Sequence, residues 1–188
     1  VEAWFPGTMG GLAVARILFG DAEPRGRLPI TFPRSVGQIP IHHDQDPTGR
    51  PASSDPYSSR YLDEDVTPLY PFGWGLSYTS FDFAPPRLDR AVLRSGETVT
   101  VSVDVTNSGA RPGTAIVQLY LRQKVASVTR PLRLLRGFAP IALDPGRTAT
   151  VKLPIGAADL AFWRKGMSYG VEPGPVDVMT GPNAAETQ

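Results

Sequence analysis

The chain contains no cysteine. Disulfides, thiolate metal sites and a cysteine nucleophile are therefore excluded, although the compartment is not fixed, because many exported proteins also lack cysteine. It has only two histidines, so no third imidazole can complete a tetrahedral metal site. No apolar run approaches the roughly 20 residues that a membrane-spanning helix needs. Charge of one sign is also missing: 19 Lys and Arg stand against 18 Asp and Glu, for a net +1. These charges are spread along the chain, whereas a nucleic-acid groove needs them clustered. Neither a nucleic-acid nor a membrane partner is expected. The first residue is Val1, and no charged stretch followed by an apolar run marks a signal peptide. The start is read as processed or, preferably, as a point inside a longer polypeptide.

What is present is a globular composition, 41% hydrophobic and 20% charged, with 20 prolines and 19 glycines in 188 residues. That balance suits short strands joined by many turns. Three parts follow. Residues 1–41 read as the end of an α/β unit. A short apolar stretch ends at Pro6-Gly7, Thr8 could cap a helix from about Met9 to Phe19, and Gly20 stops it. Leu12, Ala15 and Phe19 share one side of that helix and Val14, Ile17 and Leu18 another, the pattern of a buried helix. Arg27 to Pro33 reads as a short edge strand interrupted by proline. Residues 42–81 read as a long polar loop ending in an aromatic cluster of Tyr70, Phe72, Trp74, Tyr78 and Phe81. Gly73 and Gly75 there suggest backbone held close to something. The cluster is expected to be a packed anchor between two domains, with a sugar-stacking platform as the alternative.

Residues 82–188 alternate with period two. Val99, Val101, Val103 and Val105 point one way and Thr98, Thr100, Ser102 and Asp104 the other. Asn107-Ser108-Gly109 makes a turn into a strand from Ala115 to Arg122, with Val117, Leu119 and Leu121 on one face. Leu134 to Leu143, Thr148 to Ile155 and Pro175 to Thr180 are further strands, and Asp144-Pro145-Gly146 is a turn between two of them. The fold class is therefore mainly β: an antiparallel β-sandwich in 82–188, preceded by a remnant of an α/β sandwich domain in 1–41 and a long linker in 42–81.

Several constellations were weighed for chemistry. Adjacent histidines in His42-His43-Asp44-Gln45-Asp46 point to opposite sides of an extended chain and chelate one ion poorly, so a solvated loop is expected there. Asp63-Glu64-Asp65 offers carboxylates, but nothing nearby would bury one and keep another ionised, so a solvated acidic turn is expected. Gly7, Gly10 and Gly11 fit neither GxGxxG nor a Walker motif, and a tightly packed turn is the simpler reading. No serine sits in a GxSxG setting. The residues alone assign no catalytic, substrate-binding or metal residue and call for no cofactor.

Three stretches together carry a resemblance. Ala3-Trp4-Phe5-Pro6-Gly7-Thr8-Met9-Gly10-Gly11, continuing to Gly26-Arg27-Leu28-Pro29-Ile30-Thr31-Phe32-Pro33, resembles the end of the second domain of family 3 glycoside hydrolases. Leu69-Tyr70-Pro71-Phe72-Gly73-Trp74-Gly75-Leu76-Ser77-Tyr78-Thr79 resembles that family's junction into its last domain. Val105 to Gly109, Val117 to Leu121, Arg136-Gly137-Phe138 and Leu143 to Gly146 resemble its fibronectin type III-like domain. Ser35 to Pro40 and Thr48 to Pro51 are most similar to the bacterial periplasmic β-glucosidase branch.

The resemblance implies a three-domain retaining enzyme: a barrel with an aspartate nucleophile, an α/β sandwich with a glutamate acid/base, and the fibronectin-like domain. Neither catalytic motif occurs in this sequence, so neither role is carried to a numbered residue. The expected partners are the upstream barrel and α/β sandwich, with oligosaccharide bound through them, in a periplasmic or secreted enzyme without a cofactor. The substrate implied is a terminal β-D-glucosyl residue. A β-xylosidase or arabinosidase of the family, or an independent non-catalytic module, are the alternatives. Two departures stand out. Met9 sits where relatives commonly carry an acidic residue, and His42-His43 sits where they often carry aromatics.

Overall fold

The computed structural model describes residues 1–188. The regular elements run α1 (Gly10–Leu18), β1 (Phe81–Phe83), β2 (Arg87–Leu88), β3 (Thr98–Asn107), β4 (Gly113–Gln123), β5 (Leu134–Leu143), β6 (Thr148–Gly156), α2 (Ala157–Leu160), β7 (Phe162–Arg164), β8 (Ser168–Gly170) and β9 (Val176–Gly181). The chain is mainly β, with antiparallel sheets, as the alternation predicts.

Two sheets face each other. In the first, β3 is central: β6 pairs with one edge, and β1 and β2 take successive stretches of the other. The second has the order β5-β4-β9. The alternating valines of β3 explain the arrangement. Val101, Val103 and Val105 are fully buried, while Thr98 faces water. In register, Val103 lies opposite Val151 and Val101 opposite Leu153. Across the sandwich they meet Ala115, Val117, Leu119 and Leu121 of β4. The turn at Asp144-Pro145-Gly146 forms as expected: Arg147 N–H donates to the Asp144 carbonyl at 3.1 Å. Gly146 supplies the positive φ of 71°, which costs glycine little. A bulge separates the pairs Leu119–Gly137 and Tyr120–Leu135, so Arg136 is skipped in the ladder.

The N-terminal part departs from expectation in three ways. Helix α1 begins at Gly10 and not Met9, and Thr8 does not cap it: the N-cap is Met9, with no side-chain hydrogen bond. Gly10 N–H instead donates to the Gly7 carbonyl at 2.8 Å, which draws Thr8 into the turn. A side chain at Gly10 would collide with the Pro6 ring, so the tight turn is real there, although Gly7 and Gly11 stand in open space. The helix is also not buried. None of its residues is buried in this chain, because residues 1–41 supply no second layer to cover it. Finally, the strand expected over Arg27 to Pro33 reduces to one bridge, Phe32 with Tyr70. Leu28 and Phe32 still exchange backbone bonds with Gly73, Trp74, Leu69 and Tyr70. Pro29 and Pro33 have no N–H with which to extend the ladder.

Five elements carry no signal in the sequence. Phe81 opens β1 rather than closing the aromatic cluster, and the two-residue β2 is too short to show a period. The four-residue α2 and the hairpin β7–β8 lie between expected strands.

Candidate functional site

Residues 42–80 form no helix and no regular strand, yet they are folded closely onto the second sheet. Strand β4 shows why. From Val117 to Leu121 every residue is buried, both the odd positions facing the sandwich core and the even ones facing away. The linker covers that outer face.

Gln118 organises the contact. Its Nε2 donates to the Pro182 carbonyl at 2.6 Å and to the Gly73 carbonyl at 3.1 Å. Its Oε1 accepts from the Tyr120 hydroxyl at 2.5 Å. Gly73, with φ +79°, lies so close to Gln118 that any side chain there would collide with it. Both the amide and the phenol are out of water, and burial pushes the Tyr120 phenol well above its ordinary pKa. Phe72 carries the apolar share of the anchor. Its carbonyl accepts from Ala184 N–H at 2.9 Å, and His43 stacks on its ring at 4.0 Å.

His43 is the clearest correction to the expected solvated loop. The two histidines do point apart, as adjacent residues on extended chain should. His42 turns outward, its Nδ1 2.8 Å from Asp44 Oδ1. His43 turns inward against Phe72, with Tyr120 edge-on at 6.0 Å. Burial is the main cause that holds His43 below its ordinary pKa, with Asp44 acting the other way. Only Asp44 pairs with these rings.

The aromatic cluster divides between two sides. Phe72 belongs to the sandwich. Tyr70 and Trp74 stack on each other at 6.1 Å, and Phe32 meets both Tyr70 and Trp4 edge-on. Tyr78 donates to the Ile17 carbonyl of α1 and receives the Arg111 guanidinium over its ring at 5.6 Å. These rings spend their faces on each other, the arrangement of a packed anchor.

Three polar residues whose long-range partners no local pattern announced tie the parts together. Glu23 accepts from Ser77 Oγ with one oxygen and from Thr114 N–H, at 3.1 Å, with the other. Asn107, fully buried, accepts from Thr79 Oγ1 at 2.7 Å and donates to the Leu143 carbonyl at 2.9 Å. Gln38 donates to the carbonyls of Asp65 and Thr67 and accepts from Arg34 N–H. Gly73 and Gly75 were the only advance signal of such close approach. Gly75 indeed abuts the Gly26 carbonyl and Arg27.

The acidic run sits at the surface and is used locally. Glu64 accepts from Ser35 Oγ at 2.6 Å, and Asp65 from Thr67 N–H at 2.8 Å, a bond that lowers the Asp65 pKa. A recess of about 230 Å³ opens between residues 41–45 and 66–72 on one side and the ends of β4 and β9 on the other. Arg122, Arg133, Asp177, Met179, Phe72 and His43 are among its walls.

Two family models match this chain. The Glycosyl hydrolase family 3 C-terminal domain matches residues 1–78, and the Fibronectin type III-like domain matches residues 115–184. A periplasmic β-glucosidase of Salmonella typhimurium is 47% identical over 100% of this chain and 25% of its own length. A β-xylosidase of Formosa agariphila is 41% identical over 98% of this chain, again 25% of its own length. The solved structure of a β-glucosidase from Listeria innocua in complex with glucose superposes with a TM-score of 0.93 at 34% identity, covering 100% of this chain and 26% of that one. The chain thus spans about a quarter of the length of the relatives it matches. With both segments present in this order, the chain belongs to glycoside hydrolase family 3.

Proposed function

We propose that this chain is the C-terminal, structural part of a retaining β-glucosidase that removes terminal non-reducing β-D-glucosyl residues from oligosaccharides. In this reading residues 1–41 complete an α/β sandwich domain, 42–81 strap it to the next unit, and 82–188 form the fibronectin-like domain. The catalytic carboxylates belong to upstream domains, and the enzyme works in the periplasm or outside the cell.

One observation carries the reading. The segment that matches the family 3 C-terminal domain presents Trp4, Phe5, Met9, Leu12, Leu18 and Phe19 to solvent, Phe5 at 102% and Phe19 at 85% relative exposure. The sandwich closes its own core. Apolar side chains exposed to this extent mark an interface, and relatives of four times the length supply the polypeptide to cover them. Retention needs a carboxylate pair roughly 5–5.5 Å apart with different ionisation, and in this reading that pair belongs to the upstream domains and not to Asp63, Glu64 or Asp65. Glu64 and Asp65 are engaged by Ser35 and Thr67. The 41% identity to a β-xylosidase favours a second reading, a pentosidase of the same family, with the same division of labour.

The test compares the 188-residue chain with the longer polypeptide containing it, on aryl β-glucoside and aryl β-xyloside. The chain alone is expected to give no turnover above buffer, and the longer polypeptide to prefer the glucoside. Turnover by the chain alone that disappears in Asp63→Asn or Glu64→Gln overturns the structural role. Preference for the xyloside replaces the first reading with the second.

A further inference from the structure

We infer that the recess between the linker and β4–β9 is a binding site for a monosaccharide-sized carboxylate, a hexuronate, whose acid group is held by Arg122 and Arg133. The charge balance of the walls is the first ground. Arg122 and Arg133 are half-buried, and the ion pairs of the chain's arginines are those of Arg87 with Asp104 and of Arg90 with Asp89 and Glu97. Asp177 lies directly opposite Arg122 in the β4–β9 ladder. It would neutralise that guanidinium, but it turns to Lys124 at 2.8 Å instead. Arg122 and Arg133 therefore both line one small recess without an ion pair, and the acid on its walls, Asp177, is engaged by Lys124. A guanidinium taken partly out of water gains from a carboxylate, and its planar fork matches that group in a two-point contact.

The shape of the recess limits the ligand. At about 230 Å³ it is smaller than the roughly 300–1,000 Å³ of drug-sized pockets, so it suits one sugar ring. Phe72, Ile41, Leu132 and Met179 add apolar surface to the walls. Thr31 lines the recess too, and its hydroxyl is buried with no hydrogen-bond partner. That oxygen is too enclosed for a ligand to reach, and the polar partners a hydroxylated ring would meet are Gln45 and Asp177 on the walls. Two arginines, polar partners for hydroxyls and interspersed apolar surface together describe a sugar acid better than a plain sugar or a fatty or aromatic acid.

The experiment titrates the 188-residue chain with D-glucuronate, D-glucose, acetate and benzoate at low salt, by calorimetry and ligand-observed NMR. Glucuronate is expected to saturate, and added sodium chloride to weaken it, as screening of a two-arginine contact requires. Arg133→Ala should weaken glucuronate at least tenfold, while Arg94→Ala, on an exposed turn outside the recess, leaves it unchanged. Arg122→Lys keeps the charge but loses the planar fork and should weaken binding several-fold. Melting curves of each variant separate lost binding from lost folding. If Arg133→Ala unfolds, the Arg122→Lys and Arg133→Lys variants carry the test. Failure of glucuronate to saturate, or equal binding of glucose, overturns the acid-group contact. Binding of acetate or benzoate as tight as glucuronate overturns the sugar ring. Unchanged binding in both arginine variants overturns the assignment to this recess. None of these outcomes depends on whether the longer polypeptide hydrolyses β-glucosides.

Discussion

His43 lies flat on Phe72, with ring centroids 4.0 Å apart and planes inclined by 19°. This stack seals the linker onto β4, and it contains an imidazole whose pKa burial lowers. The unfolded chain takes a proton on this histidine near pH 6.5, whereas the folded chain resists it because burial lowers the pKa. The unfolded state therefore binds more protons between those two values. The contribution of the stack is fully present above pH 6.5 and declines as the pH falls through and below it. Denaturant midpoints are expected to be lower at pH 5.5 than at 7.5, and His43→Phe should flatten that difference. An unchanged difference in His43→Phe would place the pH dependence elsewhere.

The sandwich core rests on Val103 and Leu119, both fully buried. Leu119→Ala should cost about 2–5 kcal/mol and Val103→Ala roughly 1–3 kcal/mol, from lost burial and the cavity left behind. Urea unfolding measures both. Wild-type midpoints for the two variants would contradict the facing of β3 and β4.

Gln118 is the polar counterpart of that core. Gln118→Leu keeps most of the volume but leaves the Tyr120 hydroxyl and the Gly73 and Pro182 carbonyls without their bonds. The expected loss is about 1–3 kcal/mol. Gly73→Ala should act on the same contact, through its positive φ and the collision with Gln118. Faster amide exchange in residues 70–75, with β3 and β6 unaffected, is the expected readout for both.

On the outer face of the first sheet, Asp104 accepts from the Arg87 guanidinium at 2.7 Å and from Thr150 Oγ1 at 2.5 Å. These bonds, with Arg87 the larger, lower its pKa to about 2. A depressed carboxylate stabilises the fold above its unfolded pKa of 3.8 and loses that contribution as the pH drops toward 2. Carboxyl NMR should show a midpoint near 2 for Asp104, moving up in Arg87→Ala. A midpoint near 4 in the unaltered chain would mean that the pair is not formed in solution.

The apolar face around α1 predicts behaviour that depends on concentration. Leu12, Leu18 and Phe19 are 47%, 63% and 85% exposed. Amide exchange across Leu12 to Phe19 should be fast in dilute solution and slow as the chain self-associates, while β3 and β4 stay protected throughout. Phe19→Asp should suppress the association. Strong protection at every concentration would show that the segment packs within this chain and would favour the independent module.

The β-sandwich was legible because each of its long strands buries one face. Thr98 to Asp104 alternates without a break, and the turns at Asn107 and Asp144 carry residues whose side chains or backbone freedom demand a turn. The family resemblance was legible for a related reason: its motifs are glycines, prolines and aromatics whose local geometry tolerates few substitutes. Period two is silent where a strand is buried on both sides or spans two residues. β2 accordingly escaped notice, and so did the double burial of β4.

The anchor could be read only in part. Gly73 and Gly75 announced a close approach, but not that Gln118, 45 positions away in the chain, is what Gly73 approaches. Glu23 meets Thr114 across 91 positions. No pattern along the chain records such partners, because a side chain's hydrogen bonds depend on which backbone the fold brings beside it. The same reasoning separates His42 from His43. Their opposite directions follow from extended backbone, a local property visible in the sequence. Which of them turns inward was decided by the position of Phe72 over the second sheet, and only the tertiary structure sets that.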